Sequence, residues 1–266
     1  MRVMFNKLIY AYKKGPSYTI NYLIVNFSFL FLRFFKVSIV RSKYDIELYA
    51  DYKDATFKYY YQAKYGFFLS DYLKKYQSKF TFIDIGANQG LFTILAAKNT
   101  HCEKVVSFEP VPSIYESLKK NSRLNDVSHK CDLQNLALSD KCGEIEIPYS
   151  DKHSGAASLV LQNKAKVSEF EMVKIRTINA ELLESIFSSK FQNYVLKVDV
   201  EGYEFIVLTE IFKCNFSKFI TSVFYEVDEE WEEPDLLEAL LRNNGFINFK
   251  KIGHGTHYDI LATKNI

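Results

Sequence analysis

Residues 80–93 read Phe80-Thr81-Phe82-Ile83-Asp84-Ile85-Gly86-Ala87-Asn88-Gln89-Gly90-Leu91-Phe92-Thr93. The first half of this stretch is apolar and β-branched or aromatic, which is typical of a buried parallel strand. Gly86 and Gly90 then bracket a tight turn, and the apolar run that begins at Leu91 predicts a helix packed back on the sheet. A strand, turn and helix in this order is the repeating unit of doubly wound α/β folds.

The turn in this stretch predicts a ligand site. Glycine has no Cβ, so its backbone can pass close to a ligand, and the following helix N-terminus offers N–H groups and a positive dipole end. Dinucleotide sites use Gly-x-Gly-x-x-Gly, whereas this turn has no middle glycine and follows an acid, Asp84. That acid would repel a pyrophosphate but suits a sulfonium, so the pattern favours S-adenosylmethionine. An ordinary β-turn-α corner is the alternative. The candidate cofactor-binding residues are Asp84, Gly86, Ala87, Asn88 and Gly90.

A second acid follows a second predicted strand. Glu109 lies nineteen residues after Gly90, close to the ~20-residue offset at which an acid meets ribose hydroxyls. A carboxylate there accepts two hydrogen bonds from a cis-diol, and the alternative is a solvated strand end. A third strand is predicted over 129–138, with Asn135 and Leu136 as candidates for holding an adenine.

Charged residues recur at every second position near a fourth predicted strand. Lys197, Asp199 and Glu201 would share one face of that strand. Three charges are costly inside a sheet that is covered on both faces, but not at its carboxyl edge, where α/β sheets bind ligands. The spacing therefore indicates a working site, with a plain salt-bridged cluster as the alternative. Glu226 ends a fifth predicted strand over 219–226.

The remaining patterns complete the predicted architecture. Alternating residues at 143–149 and 172–177 predict an inserted antiparallel arm near the active site, and 246–249 and 258–263 predict an antiparallel edge pair. We expect a mostly parallel seven-stranded sheet with an antiparallel edge. Residues 76–266 would form this domain, and residues 1–75 an amino-terminal helical extension with a small flap.

The extension contains an uncharged run from Tyr18 to Leu32. Fifteen residues are fewer than the roughly 20 that a spanning helix needs, and no signal-peptide cleavage site follows. Two interpretations remain open. The helices either pad the catalytic domain, or residues 1–43 rest on the inner membrane leaflet with their Lys and Arg side chains near lipid phosphates. The many tyrosines between 44 and 76 either stack on a sugar or form core and rim.

Composition narrows the class of protein. The 266 residues carry a net charge of +2, so nothing in the overall charge indicates a nucleic-acid partner. The four cysteines lack a C-x-x-C pair, which fits reduced thiols in the cytoplasm better than a disulfide framework or zinc site. The His-x-x-His spacing at 254–257 is not diagnostic of a metal site, and no metal is predicted.

Several motifs together resemble one family. They are Asp84-Ile-Gly-Ala-Asn-Gln-Gly90, Phe108-Glu-Pro-Val-Pro112, Asn135-Leu-Ala-Leu-Ser-Asp140, Ala157-Ser-Leu159 and Leu196-Lys-Val-Asp-Val-Glu-Gly-Tyr-Glu204. Their order over 80–266 resembles FkbM-type methyltransferases. The resemblance implies a class I Rossmann-like fold, S-adenosylmethionine as methyl donor, and O-methylation of a hydroxyl. In bacteria such enzymes often act on sugars of polysaccharides or glycolipids. The resemblance also implies positions for individual residues. Those at cofactor positions are Asp84, Gly86, Asn88, Gly90 and Glu109, and those on the family's signature are Lys197, Asp199 and Glu201.

A hydroxyl is a poor nucleophile, so we expect a carboxylate to accept its proton. Asp199 is the first candidate, Glu226 and Glu201 are the second, and Lys197 would hold Asp199 ionised by its opposite charge. Two alternatives remain. An NAD-dependent sugar oxidoreductase would need the tighter glycine fingerprint and a Tyr-x-x-x-Lys pair, a spacing that Tyr115 and Lys119 show directly after the second strand. A membrane-associated partner protein could keep the fold without the chemistry.

Overall fold

The computed structural model describes residues 15–156, 170–187, 193–231 and 233–265. The amino-terminal elements are α1 (Pro16–Phe34), β1 (Ile39–Arg41), β2 (Glu47–Tyr49), α2 (Ala55–Gln62) and α3 (Phe67–Lys75). There follow β3 (Phe80–Ile85), α4 (Leu91–Lys98), β4 (Cys102–Phe108), α5 (Pro112–Leu124), β5 (Cys131–Gln134), β6 (Ala137–Leu138), β7 (Gly143–Tyr149) and β8 (Glu171–Ile178). The last elements are α6 (Ala180–Ile186), β9 (Tyr194–Val198), α7 (Glu204–Lys213), β10 (Ile220–Asp228), α8 (Pro234–Asn243), β11 (Asn248–Ile252) and β12 (His257–Thr263). The motif at 157–159 lies outside the described residues.

The central sheet has seven strands in the order β11-β12-β10-β9-β3-β4-β5. The strands from β10 to β5 pair in parallel, while β12 runs antiparallel to both β10 and β11. This arrangement confirms the predicted mostly parallel sheet with an antiparallel edge.

The side chains of β3 alternate between two cores, because successive residues of a strand point to opposite faces. Ile83 and Ile85 join the core beneath α6, α7 and α8. Phe80 and Phe82 join the core formed by α1, the β1–β2 hairpin, α2, α3 and α4. The amino-terminal elements therefore share a core with the sheet, and the domain boundary at residue 76 stays a prediction.

The predicted helical extension and the predicted third strand are both divided in the structure. Ala63 and Gly66 adopt positive φ angles of 52° and 60° that end α2 before α3 begins. The predicted third strand over 129–138 splits at Asn135, whose Nδ2 donates to the carbonyl oxygens of Glu109 (2.9 Å) and Pro110 (2.8 Å). Beyond that turn the chain leaves the main sheet.

The predicted arm forms a separate sheet of three strands. β6 pairs in parallel with β8, and β7 pairs with β8 antiparallel, in the order β6-β8-β7. The antiparallel β1–β2 hairpin corresponds to the small flap predicted within residues 1–75.

One prediction about the fourth strand needs correction. Lys197, Asp199 and Glu201 do not share a strand face, since β9 ends at Val198. The positive φ of Glu201 (56°) and Gly202 (91°) turns the chain away from the sheet there. Only Lys197 lies in the strand, directly beside Asp84 in the β3–β9 pairing.

Candidate active site

A cavity of about 320 Å³ opens at the carboxyl ends of β3, β4, β9 and β10. Its lining carries four carboxyl groups, those of Glu109, Asp199, Glu201 and Glu226, and no Lys or Arg belongs to the described lining. The lining also contains apolar side chains, those of Ile85, Phe108, Leu136, Leu138, Ile147 and Ile175. Acidic and apolar groups around one cavity fit a ligand that has both a cationic and an aromatic part.

The structure divides the predicted site residues into two groups. Those that line the cavity are Gly86, Asn88, Glu109, Leu136, Asp199, Glu201 and Glu226. Those that do not belong to the described lining are Asp84, Ala87, Gly90, Asn135 and Lys197. Asp84 and Lys197 are 0% and 2% exposed. Their side chains therefore do not contact a ligand in the cavity directly and influence it only through the residues that they hold in place.

The buried Lys197 ammonium connects two carboxylates. Its Nζ lies 3.5 Å from Asp84 Oδ1 and 3.2 Å from Asp199 Oδ2, and it donates to the Gly86 carbonyl oxygen at 2.6 Å. Thr93 Oγ1 donates to the other Asp84 oxygen at 2.7 Å. Burial opposes the charge, but Asp199 and Asp84 raise the pKa of Lys197 above its ordinary value. The Lys197 side chain therefore stays charged at neutral pH and forms an ion pair with Asp199.

Tyr65 hydrogen-bonds to the same carboxylate, a contact that the sequence did not indicate. Its hydroxyl donates to Asp199 Oδ2 at 2.5 Å across 134 residues of sequence. Burial and the Asp199 charge raise the pKa of Tyr65 well above its ordinary value, so the phenol keeps its proton and donates. Tyr65 belongs to the tyrosine-rich region over 44–76, and this contact gives one of those tyrosines a place in the cavity lining.

Glu109 joins the glycine turn to the cavity. Its two oxygens accept from the backbone N–H groups of Asn88 and Val111, both at 2.9 Å. Burial raises the pKa of Glu109 to about 7. Asn88 has a φ of 49°, a left-handed conformation that asparagine tolerates better than most residues. The acid therefore fixes the shape of the turn while facing the cavity.

The end of the arm is docked over the cavity by hydrogen bonds. Ser154 Oγ donates to Asp54 Oδ2 at 2.7 Å, and the Gly155 N–H donates to Thr56 Oγ1 at 3.0 Å. Gln89 Nε2 donates to the same Asp54 carboxylate. The prediction that the inserted arm lies near the site is confirmed, because Ser154 lines the cavity. The sequence did not indicate Ser154, or the hydrogen bonds by which Asp54 holds it.

Three of the four carboxylates crowd together. Ligand oxygens of Asp199, Glu201 and Glu226 all lie within 4.8 Å of one another, a spacing that could hold a metal ion. His257 Nε2 lies 2.9 Å from Glu226 Oε1. Burial, followed by the Asp199 charge, raises the pKa of Glu201 to about 8 and that of Glu226 to about 10. Protons on these two acids would relieve the repulsion between them and Asp199. The absence of a metal stays a prediction.

Gly86 positions this cluster through a backbone contact. A Cβ at residue 86 would lie 2.0 Å from the Asp199 carbonyl oxygen, and the residue has a φ of 76°. We expect Gly86→Ala to lower the melting temperature by several degrees, at roughly 2–4 °C per kcal/mol, and to weaken S-adenosylhomocysteine binding, because the β9–α7 loop must shift. Differential scanning fluorimetry and calorimetry measure both effects.

Gly255→Ala is the matched control, since Gly255 has a similar φ of 87° but nothing within 4 Å of its Cβ position. Equal losses in the two variants would show that backbone strain, not the contact with Asp199, explains the result at Gly86.

The mostly parallel seven-stranded sheet defines a Rossmann-like α/β fold, with a cavity at the carboxyl edge, where such folds bind ligands. The chain belongs to the FkbM methyltransferase family, because the family model described as "Methyltransferase FkbM domain" matches residues 84–247. The enzyme is accordingly an S-adenosylmethionine-dependent methyltransferase, as the sequence predicted.

Two curated relatives carry methyltransferase names. "Methyltransferase sdnD" of Sordaria araneosa is 28% identical over 192 residues, covering 62% of this chain and 72% of the relative. "Methyltransferase 1" of Beauveria bassiana (strain ARSEF 2860) is 23% identical over 184 residues, covering 62% and 71%. Among solved structures, "The complex structure of aTrm5 and tRNALeu" superposes with a TM-score of 0.48 at 14% identity, over 85% of this chain. This chain spans about half of that protein, with 52% covered.

Proposed function

We propose that this methyltransferase transfers its methyl group to a hydroxyl of a sugar, in a glycolipid or polysaccharide precursor. The observation that carries the proposal is the combination of four carboxylates and several tyrosines around one cavity. The acids suit a cationic methyl donor, and the tyrosines suit a sugar.

The residues present fit S-adenosylmethionine. Glu109 faces the cavity where the ribose hydroxyls would donate to it, and Leu136 and Phe108 belong to the apolar side chains of the lining that would hold the adenine. The turn of Gly86 and Asn88 would carry the amino-acid end. When bound, S-adenosylmethionine supplies an electrophilic methyl group on a positively charged sulfur. The Asp199 carboxylate would stabilise that charge.

Asp199 is the residue best placed to accept the hydroxyl proton. Tyr65 and Lys197 both contact Oδ2, so within the described part of the chain Oδ1 is left to accept the proton. Glu201 and Glu226 are less suited, because their raised pKa values leave them protonated at neutral pH. Lys197 and Tyr65 act through Asp199 as positioning residues. Most of the rate would come from holding the hydroxyl in line with the methyl group.

The cavity lining includes several aromatic side chains with polar groups. Tyr59, Tyr60, Tyr65 and Tyr203 all belong to this lining, together with the imidazoles of His153 and His257. Tyrosine combines an apolar ring with a polar hydroxyl, which suits the alternating C–H and hydroxyl surfaces of a pyranose. A glycan acceptor therefore agrees with the lining better than a purely apolar acceptor.

The oxidoreductase alternative has no comparable support. The acidic groups of the lining disfavour a pyrophosphate, and neither Tyr115 nor Lys119 lines the cavity. Tyr115 instead donates its hydroxyl to the Leu133 carbonyl oxygen at 3.0 Å.

Methyl-labelled S-adenosylmethionine tests the proposed acceptor. We expect incubation of the enzyme with fractionated glycans and lipids of its source organism to label a glycan or glycolipid fraction. The label should survive alkaline hydrolysis, because a methyl ether formed on a hydroxyl is stable to base whereas a methyl ester is not. Label that is released by base, or that accumulates in protein or RNA, would contradict the proposal.

A further inference from the structure

Helix α1 is apolar on two opposite sides. On one side Val25 and Phe29 are buried, and the Phe29 ring lies 5.6 Å from the rings of both Tyr52 and Tyr61. The other side, which we call the α1 apolar face, consists of exposed residues spaced mostly three or four apart: Ile20, Leu23, Ile24, Phe27, Leu30, Phe31 and Phe34. At about 100° per residue these side chains form one continuous stripe opposite Val25 and Phe29.

This stripe is unusual for a protein surface. Phe27 is 72% exposed and Phe34 is 80% exposed. A helix that is apolar on all sides is normally covered on all sides, and contiguous exposed apolar patches mark interaction surfaces. The described part of the chain covers only the side that carries Val25 and Phe29.

The charge around the stripe identifies what covers it. Residues 1–43 contain eight Lys and Arg and no Asp or Glu, whereas the remaining 223 residues carry 26 Lys and Arg against 32 Asp and Glu. Among the described residues, Arg33 and Lys36 lie exposed beside the carboxyl end of the stripe. An apolar stripe in a segment whose charged residues are all positive complements an anionic lipid surface, which offers acyl chains below a layer of phosphates.

We propose that the α1 apolar face docks on the anionic surface of a membrane, with α1 lying in the interfacial plane. Within the described residues no helix has the length and apolar character to cross a bilayer, so contact along the surface is the mode that this helix permits. A second copy of the chain is a poorer occupant, because a symmetric contact would bring two positively charged segments together. The proposal goes beyond the identity of the methyl acceptor and is tested without it.

Vesicle flotation with the full-length protein tests the docking. We expect wild-type protein to float with phosphatidylcholine vesicles that contain phosphatidylserine and to stay unbound with phosphatidylcholine alone. The double variant Leu30→Ser/Phe34→Ser should lower the partition coefficient by about tenfold or more, since two exposed side chains lose their burial in the acyl boundary.

The matched control is Leu236→Ser/Ile247→Ser. These residues have exposures of 50% and 48%, and Leu236 belongs to α8, which packs on the opposite face of the sheet from α1. Equal binding by wild type and the α1 variant, or equal loss in both double variants, would overturn the proposal. A wild-type dimer that the α1 variant converts to a monomer would assign the face to a second copy instead.

Discussion

Replacing Asp199 with Asn should lower kcat by about 10²–10⁴-fold, the usual contribution of a positioned general base. The amide keeps the size of the side chain but cannot accept the hydroxyl proton as the methyl group moves. Because S-adenosylhomocysteine lacks the sulfonium charge, its dissociation constant should change little. Transfer of label from methyl-labelled S-adenosylmethionine to the acceptor measures the rate of methyl transfer. Calorimetry measures the affinity for S-adenosylhomocysteine.

Asp228→Asn is the matched control, since Asp228 lies at the end of β10 and accepts from the Glu230 N–H at 2.9 Å without lining the cavity. Its kcat should stay near that of wild type. Full turnover by Asp199→Asn with unchanged S-adenosylhomocysteine binding would refute the assignment of Asp199 as base. In that case Glu226→Gln becomes the next variant, because Glu226 also lines the cavity and one of its carboxyl oxygens lies within 4.8 Å of one of Asp199.

The fold was predictable because its signals are local. An apolar strand, a glycine turn and an apolar helix occur within residues 80–97, and the strand-then-acid pattern repeats at Glu109 and Glu226. Parallel strands place their carboxyl ends at one edge of the sheet. The sequence therefore predicts that Glu109, Asp199 and Glu226, which follow such strands, share one site. The structure places all three on one cavity.

The depth of each site residue was not predictable, because it depends on contacts between distant segments. Asp84 resembles a ligand contact in sequence, yet it lies fully buried beneath the cavity, and Lys197 shares that layer. The period-two pattern assigned Asp199 to a strand, but the positive φ of Glu201 and Gly202 ends the strand earlier. Tyr65 reaches Asp199 across 134 residues, and Ser154 reaches Asp54 across 100. No local pattern reports such contacts.

Lys197→Met should destabilise the fold by roughly 3–5 kcal/mol, because it removes the cation of a buried ion pair and leaves two carboxylates uncompensated. Methionine has nearly the same length and keeps the packing beside Phe92, whose ring centroid lies 5.7 Å from Nζ. Chemical denaturation followed by circular dichroism measures the free energy of unfolding. The surface variant Lys104→Met is the matched control, since Lys104 pairs with Asp132 at 2.8 Å and both side chains are about one third exposed. Such a pair contributes about 0–1 kcal/mol.

Adding Asp84→Asn to Lys197→Met separates charge from packing. If uncompensated charge causes the loss, the double variant removes one of the two unpaired carboxylates and should recover part of the stability. The contact between Thr93 and residue 84 is kept in both variants, so it does not explain a difference between them. If lost packing causes it, the second substitution should add a further loss. Kinetics give an independent check, because Lys197 contacts Asp199 as well as Asp84. The stabilised double variant should therefore remain slow in methyl transfer while binding S-adenosylhomocysteine. A double variant that is both stable and fully active would show that Lys197 neither fixes Asp199 nor supports its charge.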